Sequence, residues 1–232
     1  MFKKVLYKIV HIVYSALSRL VLAIQNILSV THNYQPDPFS GINKHGARDS
    51  FDRYEAILKN TDFHSGSLID LGCNRGFFVL KYASEDIFSV GVDHDWFEIL
   101  YAKGLAENNN INKSIFMNEE INMNFIKNMP IFDMIICTSI FHHWVRIYSK
   151  ETAFDMMRMI ALKTNKYLIF ETGQYDEIET SWYQNLEFMG SDSKRWVEDF
   201  LLDIGFDKVK DVGVFETNLS NVKRNMFIAT KE

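Results

Sequence analysis

From residue 67 onward the apolar positions alternate between short continuous runs and longer stretches with three- and four-residue spacing. SLIDLG, FSVGVD, SIFM, FDMIICTSI and KYLIFETG have the length and composition of buried strands. Between and after them, FFVLKYAS, WFEILYAKGLAENN, ETAFDMMRMIALK and SKRWVEDFLLDIG carry the helical period. Alternation of this kind predicts a parallel sheet with helices on both faces. Two closing runs, DKVKDVGVFE and NMFIATKE, have no helix between them and predict an antiparallel hairpin at the sheet edge. The expected fold class is therefore α/β: seven strands, parallel with one antiparallel edge strand, flanked by helices. Upstream, ARDSFDRYEAILKN predicts a further helix, capped by Asp49 or Ser50, with Phe51, Tyr54, Ile57 and Leu58 inward.

The first thirty residues follow a different rule. They contain no glycine, no proline and no acid. Phe2, Val5, Leu6, Ile9, Val10, Val13, Leu17, Leu20, Val21, Ile24, Ile27 and Leu28 recur at helical spacing, and Lys4, Lys8, His11, Ser15, Arg19, Gln25 and Asn26 occupy the other side. A basic face opposite a wide apolar face suits a helix lying on a membrane surface. Packing on a second copy of the chain competes with that reading. A spanning helix is opposed by Arg19 in mid-run, and a signal peptide by the poor cleavage site in SVTHNY. THNYQPDPFSGINKHGA is rich in turn formers and reads as the link to the main domain, which divides the chain at 1–32 and 33–232.

A chain of 232 residues suits one main domain with a substantial core. Hydrophobic content of 47% and charged content of 24% are those of a globular protein. A net charge of −5 argues against a nucleic-acid partner, which needs a basic surface. The two cysteines, Cys73 and Cys137, lie far apart without metal-ligand spacing, as expected of reduced thiols in a cytoplasmic protein; no metal is expected.

Candidate chemistry centres on LIDLGCNRGFFVL, residues 68–80. The first strand ends in Asp70, and Gly72 and Gly76 then allow a sharp turn before a helix whose first N–H groups are free for a ligand. In an open parallel sheet, ligands bind beyond the carboxyl ends of the strands. The string D-L-G-C-N-R-G differs in spacing from the dinucleotide fingerprint. It resembles motif I of the class I S-adenosylmethionine (SAM) methyltransferases, with Asn74 in place of the middle glycine. Asn tolerates left-handed backbone, so the turn is expected to survive.

Three further features extend the resemblance over residues 67–232. VGVDHDW ends the next strand in Asp93, 23 residues after Asp70. FDMIICTSIFHHW ends the fourth strand in a loop with histidines, and the closing hairpin is similar to that of the family. The resemblance implies a Rossmann-like sheet, SAM as cofactor and S-adenosylhomocysteine (SAH) as product. It implies that Asp70, Gly72, Cys73, Asn74 and Gly76 form the methionine cradle and that Asp93, with His94 beside it, holds the ribose. Asn118 and Glu119 would lie near the adenine, Thr138 and Ser139 by the sulfonium, and Arg53 at the SAM carboxylate. His142 and His143 stand where a catalytic base would be, one of the two facing the substrate.

TSIFHHW, Arg146 and RNMFIA resemble a narrower group, the methyltransferases that cap bacterial O-antigen glycans. This implies methyl transfer to an oxygen of a small-molecule, sugar or lipid-linked glycan acceptor, or to a terminal phosphate. Arg146, Lys44, His45, Arg48 and Arg224 would supply cations, with Trp144 and Glu171 also on the acceptor side. Such an enzyme would be cytoplasmic and peripheral at the inner membrane face, bound there, or to a second copy, through residues 1–30. An RNA or tRNA methyltransferase and a SAM-fold scaffold without catalysis remain as alternatives.

Overall fold

A computed structural model of the protein describes residues 4, 5, 7, 8, 10, 12, 13, 16, 17, 20, 34–39, 49–217 and 220–232. The main domain runs α1 (Ser50–Asn60), β1 (Ser67–Leu71), α2 (Phe77–Ser84), β2 (Phe88–Asp93), α3 (Trp96–Asn108), β3 (Ser114–Asn118), α4 (Met123–Asn128) and β4 (Phe132–Thr138). It continues with α5 (Phe141–Ile147), α6 (Lys150–Lys163), β5 (Thr164–Glu171), a 3-10 helix (Tyr183–Met189), α7 (Ser193–Asp203), β6 (Lys208–Phe215) and β7 (Arg224–Thr230). The seven strands form one sheet in the order β3-β2-β1-β4-β5-β7-β6. β1 to β5 pair in parallel, while β7 runs antiparallel to both β5 and β6. The reversed strand thus lies one place in from the edge, and β6 forms the rim.

Strand order reverses between β1 and β4, so their carboxyl ends open a crevice there. The centre of the sheet is buried on both faces, which is why its strands read as continuous apolar runs. Ile69, Leu71, Ile135, Cys137, Leu168 and Phe170 pack with α5, α6 and α7 through Phe141, Trp144, Met156, Ile160 and Phe200. The alternate residues Leu68, Met134, Ile136, Tyr167 and Ile169 pack against Tyr54 and Ile57 of α1 and Phe77, Phe78 and Tyr82 of α2. A third cluster joins Val79 and Leu80 of α2 to Ile99, Tyr101 and Leu105 of α3 and to Phe116.

Local capping chemistry sets several helix starts. Asp95 accepts hydrogen bonds from the N–H groups of Phe97 (2.9 Å) and Glu98 (3.3 Å), and Ser149 from Thr152 (3.1 Å). The expected cap of α1 differs: Asp49 Oδ2 accepts from the Glu216 N–H (3.1 Å), tying α1 to the end of β6. Leu58, expected inward, faces solvent. Three short elements carry too little periodicity to be read from sequence: α4, α5 and the 3-10 helix.

Within the segment read as a link, Gln35, Pro36 and Pro38 are buried, and Phe39 packs against the α2–α3 cluster. Gln35 Oε1 accepts from the Phe77 N–H at the start of α2 (3.3 Å). The described residues between 4 and 20 are helical and exposed; the rest of the amphipathic stretch lies outside the described residues. No helix among the described residues is long and apolar enough to cross a membrane.

Candidate active site

The turn between β1 and α2 is a left-handed cradle. Gly72, Asn74 and Gly76 have φ of 80°, 48° and 75°. The N–H groups of Gly72 and Cys73 both donate to Val92 O (2.9 and 3.0 Å), which pins the turn to the end of β2. Asn74 adopts the geometry that the middle position requires, as an Asn can. A Cβ at Gly76 would lie 2.4 Å from the Phe116 ring, so the glycine is what lets α2 approach β3. Cys73 buries its thiol against the Gly91 backbone, where Sγ donates to Asn74 O within the cradle (3.7 Å). Burial, then the charges of Asp70 and Asp93, push that thiol well above its ordinary pKa.

Asp93 is the hinge of this end. Its Oδ2 accepts from the Asn74 N–H (2.8 Å) and its Oδ1 from the Asp95 N–H (2.9 Å). One carboxylate therefore fixes both the cradle and the entry to α3, with lone pairs remaining for a further donor. Asn118 Nδ2 bridges the carbonyls of Asp93 (3.1 Å) and His94 (2.8 Å), and the Glu119 N–H donates to Asp93 O (3.0 Å). The His94 ring stands in solvent, and the Glu119 side chain is exposed. Asp70 is buried at the base of the turn.

Across the crevice, α5 begins immediately after β4. A Cβ at Gly72 would sit 3.3 Å from Ile140 Cδ1, so the cradle and the approach to α5 are in contact distance. The histidine pair lies on this helix rather than in a loop, with ring centroids 4.2 Å apart. His142 is buried and its Nδ1 accepts from the Gly173 N–H (3.0 Å), with Thr172 Oγ1 at 3.3 Å. Because a backbone N–H must donate, the proton of that imidazole sits on Nε2. His143 is half-buried. Burial, and then the electrostatic influence of Arg146, Arg224 and His94, lower its pKa to about 4. It is therefore a neutral imidazole near pH 7.

Several residues assigned by sequence have other partners. Arg53, expected at the cofactor, donates from Nε to Glu171 Oε2 (2.7 Å) and from Nη2 to Glu216 O (3.0 Å), because α1 packs on the β6–β7 side. That buried pair also withdraws Glu171 from the acceptor surface. Trp144 belongs to the main core. Arg224 is sealed: its Nε and Nη2 make a two-pronged bond to Glu177 (2.7 Å each) with both side chains fully buried. Ser139, at φ 61°, joins the two pairs by accepting from Arg224 Nη1 and donating to Glu171 Oε1, both at 2.9 Å. Thr138 is buried at the end of β4. Arg146 is exposed beside the histidines, its Nη1 3.2 Å from Ser181 Oγ. Lys44, His45 and Arg48 lie outside the described residues.

Trp182 was not singled out in the sequence. Its ring lies 4.7 Å from His142 and 5.6 Å from His143, closing over the pair. Its buried Nε1 has no hydrogen-bond partner among the described residues, and neither has Asn74 Oδ1 in the cradle. No local pattern distinguishes this Trp from a core residue. Glu177 was equally silent, because its partner is 47 residues away.

No protein-family model matches the chain. Over 200 residues it is 26% identical to the O-antigen chain terminator bifunctional methyltransferase/kinase WbdD of Escherichia coli. That alignment covers 79% of this chain and 25% of the relative, so the chain spans about a quarter of the length of the curated relatives it matches. A crystal structure of WbdD superposes with a TM-score of 0.72 at 26% identity, covering 86% of this chain and 44% of the other. Magnesium protoporphyrin IX methyltransferase (ChlM) of Synechocystis PCC 6803, solved with bound SAM, superposes with a TM-score of 0.57 at 17% identity. It matches over 79% of this chain and 77% of its own, so what is shared is a methyltransferase fold and not a kinase fold. The chain has the fold of the class I SAM-dependent methyltransferases. In a methyltransferase of this fold the left-handed cradle, the orphan Asn74 Oδ1 and the Asp93 carboxylate fit SAM, which needs a close backbone approach and an acceptor for two ribose hydroxyls.

Proposed function

We propose that the protein is a SAM-dependent methyltransferase acting on an oxygen of a sugar or glycan acceptor, and that this oxygen is anionic, as in a terminal phosphate. The carrying observation is the exposed Arg146 guanidinium on the same short helix as the half-buried His143, an imidazole whose pKa burial first, and then its charged neighbours, lower to about 4. An exposed guanidinium beside the histidine pair favours a negatively charged acceptor. SAM supplies a methyl group on a cationic sulfonium. Gly72, Asn74 and Gly76 would hold its methionine end by backbone, and Asp93 its ribose. Arg146 would attract the acceptor, and the neutral His143 would orient its anionic oxygen by donating a hydrogen bond from its ring N–H. His142 holds its position instead, since protonation at Nδ1 would break the bond from Gly173. The 26% identity to a glycan-chain terminator supports a glycan among the oxygen acceptors.

The test is transfer of labelled methyl from SAM by the full chain to paired oligosaccharides, with and without a terminal phosphate. Transfer confined to the phosphorylated member, and reduced in Arg146→Ala and His143→Ala, supports the proposal. Transfer to the free hydroxyl alone overturns the anionic acceptor. SAH binding with no transfer to either sugar, or transfer to RNA instead, overturns the glycan reading.

A further inference from the structure

We infer that the N-terminal amphipathic stretch, through its described helical residues between 4 and 20, docks on the surface of a bilayer bearing anionic lipid. Val5, Val10, Ile12, Val13, Ala16, Leu17 and Leu20 are helical and exposed; the six larger ones have 47–66% of their surface in solvent. At about 100° per residue these seven fall within an arc of about 160°. Lys4, Tyr7 and Lys8, also helical and exposed, occupy the opposite side. Described apolar residues sharing an arc of that width, left in water, call for a partner.

Charge identifies the partner. Residues 1–36 contain Lys3, Lys4, Lys8 and Arg19 and no acid; the first acid is Asp37, in a chain whose net charge is −5. Two such helices packed face to face would bring basic flanks together with no carboxylate to answer them. An anionic headgroup layer accepts the apolar face and the lysines at once. The segment that follows is fastened to the catalytic domain: Gln35 bonds to the start of α2, and Phe39 packs on the α2–α3 cluster. Thirteen residues separate Leu20 from Tyr34, which keeps the docking helix within roughly 50 Å of that anchor at full extension. Docking does not depend on the proposed acceptor, but it would hold the crevice near lipid-linked glycans.

The experiment is co-sedimentation of the full chain with vesicles of phosphatidylcholine alone and of phosphatidylcholine with phosphatidylglycerol at low and high salt. Binding at least about tenfold stronger to the anionic vesicles, weakened by salt, is expected. The double variant Val13→Glu/Leu17→Glu should abolish it, and Lys4→Glu/Lys8→Glu should remove its salt-sensitive part. SAH titration of each variant should be unchanged, which separates loss of docking from loss of the fold or of the cofactor site. Equal pelleting with and without vesicles overturns the inference. So does a dimer in sedimentation equilibrium that Val13→Glu/Leu17→Glu splits while vesicle binding is absent, since the face then belongs to a second copy.

Discussion

Replacing Asp93 by Asn is expected to damage the cofactor site and the fold together. Both carboxylate oxygens accept backbone donors, Oδ2 from Asn74 at 2.8 Å and Oδ1 from Asp95 at 2.9 Å. An amide has one oxygen, so either rotamer turns an NH2 toward one of the two N–H groups. A hydrogen bond to a charged acceptor contributes about 1.5–3 kcal/mol, and at least one is lost. At about 2–4 °C per kcal/mol for a chain of this size, the melting temperature should fall by about 3–12 °C. SAH affinity should fall by at least about tenfold, about 1.4 kcal/mol, because the ribose hydroxyls also lose a charged acceptor and the Asn74 turn loosens. Thermal denaturation and calorimetric titration with SAH measure the two effects on one sample. A variant within about 1 °C and about twofold of the native protein would show that Asp93 secures neither the turn nor the ribose.

The buried pair can be tested by subtraction. Arg224→Met alone should cost about 3–5 kcal/mol in denaturant unfolding by stranding Glu177, and Arg224→Met/Glu177→Leu should recover most of it; equal stability of the single and double variants would refute the pairing. Gly173→Ala would place a Cβ 2.6 Å from Trp182 Nε1 and 3.1 Å from His142 Cγ. Turnover should drop by roughly 10²-fold with SAH affinity kept, and normal turnover would remove Trp182 from the site. His143 has a folded pKa of about 4 against an ordinary 6.5. Between those values the unfolded chain binds more protons, so stability should be complete above about pH 6.5 and decline as pH falls toward 4. His143→Gln should flatten melting temperature against pH in that window, and an unchanged slope would contradict the depressed value.

Strand and helix order in the main domain was legible because buried parallel strands leave runs that no amphipathic helix imitates. SLIDL, FSVGVD and FDMIICT appear in the sheet at the places their apolar runs mark. The motif turn was legible because glycine spacing and a tolerant Asn encode backbone geometry directly. The helix bearing the histidine pair was not, since seven residues give too few turns for a period, and it forms because Phe141, Trp144 and Val145 find the main core.

By itself, then, the sequence determined the alternation, the turn and the acid at the end of β2, all of which are local properties of short strings. Tertiary structure alone decided which charges meet. Arg53 and Glu171 are 118 residues apart, and Arg224 and Glu177 are 47 apart; Arg53, Glu171 and Arg224 looked like surface or site residues until the fold brought their partners near. A buried ion must be paired, and the identity of the pair is a property of packing rather than of any stretch of chain. The same packing decided that Trp182 closes over the histidines and that burial keeps His143 neutral beside the exposed Arg146, the cation on which the proposed acceptor rests.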